Sequence, residues 1–110
     1  MAAARLTLER VRKAVRIDEG EVDDSMLHDW IITAYSAVEN HLFRRVYDSV
    51  DELLVDPSGV LVDEVINQAV CLLVGHFNRY REAGEMGAVT EIPFGVEWLL
   101  RNYVNMAGGA

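Results

Sequence analysis

The side chains of this 110-residue chain whose types could do chemistry are three histidines, one cysteine, a run of carboxylates and a run of cations. His28, His41 and His76 with Cys71 hold the donor atoms of a zinc or nucleophilic site. Their spacing does not assemble one, because neither His-Glu-x-x-His nor Cys-x-x-Cys occurs. Cys71 lies in an apolar run and reads as an inert buried thiol. His76 directly precedes Phe77 and reads as a hydrogen-bonded core or interface histidine. Five carboxylates crowd around Gly20 between Asp18 and Asp24. They lack the alternating spacing and closing glutamate of a calcium loop, so they read as a linker and helix cap. Gly84 and Gly87 neither follow a strand nor open a phosphate-binding helix. No nucleophile with a base and no pair of carboxylates in contrasting surroundings is recognisable, so the expectation is a protein that is not an enzyme, with no cofactor and no metal.

The cations are more distinctive. Arg5, Arg10, Arg12, Lys13 and Arg16 are half of the ten Lys and Arg residues, placed on the faces left over by the apolar stripe of a first helix. Two readings stand side by side: a solvated helix face, or a docking face for an acidic partner. Eighteen acids give a formal charge of −8, the wrong sign for broad neutralisation of a phosphate backbone. A helix-turn-helix reader would place its cations on a second helix, whereas here they sit on the first. A lone cysteine excludes a disulfide scaffold.

The elements that must position these groups follow from periodicity. Leu8, Val11 and Val15 with Thr7 as cap predict a helix over about 7–15. Leu27, Trp30, Ile31, Ala34, Tyr35, Val38 and Leu42 predict a long amphipathic helix over about 25–46. Leu53–Val55 and Val60–Val62 flank Asp-Pro-Ser-Gly, which admits a short β-hairpin at 50–62 or an irregular loop. From Asp63 to Arg81 nearly every face is apolar, the signature of a central buried helix. Gly84 to Val89 reads as a mobile loop before a last helix that Pro93 opens and that ends near Asn105. The expected fold is therefore all-α, a small four-helix domain over 1–110 with flexible ends at about 1–5 and 106–110. The longest uncharged run in the middle of the chain, Val65 to Asn78, is 14 residues and contains Asn67, Gln68 and His76, too short and polar to span a bilayer. The N-terminus lacks the apolar region of a secretory signal, so a soluble chain that is not exported is expected.

Three segments together resemble a known family. They are Leu6-Thr7-Leu8-Glu9 through Val15-Arg16-Ile17-Asp18, the long helix with Tyr35, Val38 and Glu39, and Glu91-Ile92-Pro93-Phe94-Gly95-Val96-Glu97-Trp98-Leu99-Leu100. The apolar run Ala69-Val70-Cys71-Leu72-Leu73-Val74-Gly75-His76-Phe77, followed by Tyr80, Arg81 and Glu82, is similar to the same family's third helix. The family is that of the small head–tail connector proteins, also called head-completion or adaptor proteins, of tailed bacteriophages, prophages and gene-transfer particles. The first position of the family's Leu-Arg-Ile-Asp-like run is Val15 here, and the 48–62 segment matches no family pattern.

The resemblance implies a virion protein, assembled in the bacterial host cytoplasm, that forms a ring of roughly a dozen copies under the portal and bridges it to the next stopper or tail adaptor. It implies that DNA passes through the ring without specific binding, and an acidic wall that repels the duplex suits that passage. Candidate contacts with the portal or a neighbouring subunit are Arg10, Arg12, Lys13 and Arg16 on the first helix and Ile92, Pro93, Phe94, Trp98, Leu99 and Tyr103 near the last. Reversal of Arg12 and Lys13 to glutamate is expected to weaken ring formation or docking. The Gly84–Pro93 stretch is a candidate hinge for the last helix; alternatively, its aromatics pack within one subunit. The competing reading is a small bacterial helical regulatory domain that binds one protein partner through the first helix.

Overall fold

The computed structural model describes residues 5–18, 20, 22–83 and 94–104. The order is α1 (Leu8–Val15), α2 (Asp24–Leu42), β1 (Val46–Tyr47), α3 (Val50–Val55), β2 (Val60–Leu61), α4 (Glu64–Ala83) and α5 (Phe94–Leu100), closed by a 3₁₀ turn at Arg101–Tyr103. The domain is all-α apart from the two-residue strands, with one short helix more than the four expected. The loop expected at 84–89, the hinge ending at Pro93 and the last residues from 105 lie outside the described residues.

Each long helix starts where a side-chain oxygen replaces a missing carbonyl partner. Thr7 Oγ1 accepts from the Arg10 amide at 3.2 Å, Asp23 Oδ1 from Met26 at 2.8 Å, and Asp63 Oδ1 from Ile66 at 2.9 Å. The packing directions follow from a few contacts. Arg10 meets Glu64, and Val15 lies beside Gly75, so α1 and α4 run the same way. Arg12 reaches Asp24 where α2 turns back, and Tyr35 meets Asn67 further along, so α2 is antiparallel to both. Gly95 faces Leu72 and Tyr103 reaches Asp63, so α5 descends along α4. The buried central helix is α4: Ile66, Ala69, Val70, Leu73, Val74 and Phe77 join Val11 of α1, Leu27 and Val38 of α2 and Val96 and Leu100 of α5 in one core. Side chains of this size contribute about 1.5–3 kcal/mol each when fully buried.

Three expectations need correction. Helix α2 stops at Leu42 rather than near residue 46, because Phe43 turns left-handed at φ 56° and its amide, like that of Arg44, returns to the Glu39 carbonyl. The Glu39 carboxylate then accepts from the Val46 amide at 2.8 Å, which frees Val46 for a strand. The second correction is to the hairpin at 50–62. Val46–Tyr47 pairs with Val60–Leu61 in parallel, and Leu53–Val55 belong to the crossover helix α3. Ser49 caps α3 by accepting from the Glu52 amide, while its hydroxyl donates to the Glu52 carboxylate. The expected turn at Asp56–Gly59 is present, but it ends a crossover. A Cβ on Gly59 would stand 2.5 Å from Tyr47 Cε2 and 3.0 Å from the Arg45 carbonyl, so only glycine fits beneath the Tyr47 ring. The last helix also differs: its α-helical part ends at Leu100 and continues as the 3₁₀ turn.

Candidate protein interfaces

The first helix uses its cations unequally. Arg12 is turned inward, its side chain 12% exposed, and donates to the carbonyls of Ile17 and Val22 and to Asp24 Oδ1. It ties the acidic linker after α1 to the start of α2. Arg10 pairs with Glu64 on the surface, and Lys13 stands 3.8 Å from Glu9 with both side chains in solvent. Arg16 closes α1 in the left-handed region and is exposed. The outward cationic surface is therefore Arg10, Lys13 and Arg16. A reversal that includes Arg12 would test folding as well as docking.

Arg5, which the sequence placed at the edge of a flexible end, is held in the folded domain. Its guanidinium lies over the Tyr35 ring at 4.7 Å, donates to the Val46 carbonyl at 2.6 Å and pairs with Asp48 at 2.8 Å. Beneath it the Tyr35 hydroxyl accepts from the Leu6 amide at 2.9 Å and donates to Asn67 Oδ1 at 2.6 Å. Asn67 is the one buried polar residue among those described, and this network joins the segment before α1 to α2, α4 and β1.

At the other end of the candidate set, Ile92 and Pro93 lie outside the described residues, as does the side chain of Phe94. Trp98 is 59% exposed, whereas Leu99 packs against the core from its rim. A groove of about 560 Å³ opens between the start of α4 and α5, lined by Val65, Trp98, Leu99, Arg101 and Asn102. Tyr103 faces inward and donates to Asp63 Oδ2 at 2.6 Å, so one carboxylate caps α4 and anchors the end of the chain's last turn. Burial and that carboxylate push the Tyr103 phenol up to about 12. A phenol that binds its proton more tightly when folded than its unfolded value near 10 stabilises the fold fully below about pH 10, and that stabilisation is lost as pH rises towards 12. Tyr103→Phe is expected to cost about 1 kcal/mol at neutral pH and to remove part of the loss between pH 10 and 12, as read by urea unfolding. A variant as stable and as alkali-sensitive as the parent would show the contact to be inert.

Several exposed apolar residues were not singled out by the sequence. Val50, Leu54 and Val55 of α3 are 56%, 74% and 86% exposed, and α3 contains no buried residue. Leu72 of α4, 42% exposed, lies next to Gly95 of α5. The signal was present as apolar residues interleaved with Asp51 and Glu52, but a stripe cannot be assigned to solvent or core without its neighbours. Burial pushes the Cys71 thiol pKa up, which fits its reading as an inert buried thiol, and desolvation pushes the half-buried His76 imidazole pKa down.

Comparison with known families finds a match over most of the chain. Residues 5–103 match the family described as phage gp6-like head-tail connector protein. Neither the curated proteins nor the solved structures give a significant match.

Proposed function

Because the chain belongs to the phage gp6-like head-tail connector family, and so is a structural component of a phage particle, we propose that it assembles as a homo-oligomeric ring beneath the portal. In this reading the 1–110 chain acts as a single domain without catalysis. The ring joins head to tail, retains the packaged genome and lines the passage through which DNA is ejected. It is built in the host cytoplasm and remains at the head–tail interface of the virion. The observation that carries the reading is that a domain of this size leaves two separate apolar surfaces uncovered, α3 and the Trp98 groove. Surfaces of this kind on a small folded domain mark protein contacts. The charge of −8 supports passage of DNA without adhesion, since a net acidic subunit repels the duplex. The outward cations Arg10, Lys13 and Arg16 then meet an acidic face of the portal or of the next adaptor.

Native mass measurement of the protein, alone and mixed with the portal complex of its particle, tests this. A ring or a stable portal complex is expected, and a monomer that ignores the portal would overturn it. In the portal mixture, Lys13→Glu with Arg16→Glu should weaken binding by about tenfold or more without lowering the melting temperature, because neither side chain is buried.

A further inference from the structure

We propose that the groove between α4 and α5 is the seat for helix α3 of a second copy of this chain, an assignment of contact faces that rests on the ring reading above. The guest is a helix of one and a half turns presenting Val50, Leu54 and Val55 beside Asp51 and Glu52. The host offers Val65, Trp98 and Leu99 as an apolar floor and Arg101 as a cationic rim. Apolar side chains meet apolar side chains, and carboxylates meet the guanidinium. Glu64, the acid nearest Val65, is already neutralised by Arg10, which removes one repulsion from the approach.

Position in the fold supports the pairing. Strand β2, against which α3 packs, ends at Leu61, just before α4 begins. Val65 is in the first turn of α4, and Trp98 to Arg101 descend to it. Two different surfaces of one chain make a heterologous contact, the kind that closes into a ring when the rotation between copies allows it. Among the described residues α3 packs mainly against β1 and β2 and keeps Val50, Leu54 and Val55 exposed, so its apolar face is available to a neighbour.

The test is a charge exchange in the full-length protein, read by native mass alone and on the portal complex. Asp51→Arg and Arg101→Glu should each lower the assembled fraction about tenfold, and the double variant should recover to within about threefold of the parent. Val55→Ser, at a position 86% exposed, should reduce assembly without changing the melting temperature, which separates lost contact from lost folding. If the parent assembles and the single variants assemble equally well, or the double variant shows no recovery, the assignment of faces is wrong while the ring stands. If the parent forms neither ring nor portal complex, both readings fall.

Discussion

Asn67→Ala is expected to lower the stability of this protein by about 2–3 kcal/mol, a fall of about 10 °C in melting temperature for a domain of this size. The substitution leaves the Tyr35 hydroxyl, buried between α2 and α4, without its acceptor at 2.6 Å, and leaves a small void beside Ile66 and Val70. The same hydroxyl accepts from the Leu6 amide, so the segment before α1 should loosen too, visible as faster amide exchange at Leu6. Tyr35→Phe keeps the ring under Arg5 and removes only the hydroxyl, so it should cost less. Equal stability of Asn67→Ala and the parent in urea unfolding would show that apolar packing alone fixes the register of α2 on α4.

Arg12→Ala should cost about 2 kcal/mol, whereas Lys13→Ala and Arg16→Ala should each stay within about 0.5 kcal/mol of the parent. The difference lies in what the side chains touch. Arg12 satisfies the carbonyls of Ile17 and Val22 in a linker whose carboxylates repel one another, and its removal leaves those groups and Asp24 without the shared cation. Lys13 has only a neighbouring glutamate one turn away, in solvent, where an ion pair is worth little. Thermal unfolding of the three variants separates the cases. A stable Arg12→Ala protein would return this residue to the set available for docking.

The long helices were legible because a period of 3.6 residues is a local property. The stripe Leu27, Trp30, Ile31, Ala34, Tyr35, Val38 and Leu42 is the buried face of α2, and the run through Val70 is the buried spine of α4. The segment 46–61 was not legible. Its strands are two residues each, below the length at which alternation can be counted, and a parallel pair separated by a crossover leaves no turn between partners to read. Ser49 followed by Glu52 was the available sign of α3, a cap pattern at the required spacing. The candidate contacts divided in the same way. Composition and spacing identified a cationic helix and an aromatic last helix, but could not say that Arg12 and Tyr103 point inward while Trp98 points out.

By itself the sequence determined the helical class, the acidic charge, the central position of α4 and the resemblance to a connector family, all carried by residue types and near-neighbour spacing. Tertiary structure decided which cations are spent inside, where α2 ends, how β1 and β2 pair, and which apolar residues remain uncovered. Those outcomes depend on contacts between residues tens of positions apart, such as Arg5 with Asp48 and Tyr103 with Asp63, and free energies of that kind have no signature in local periodicity.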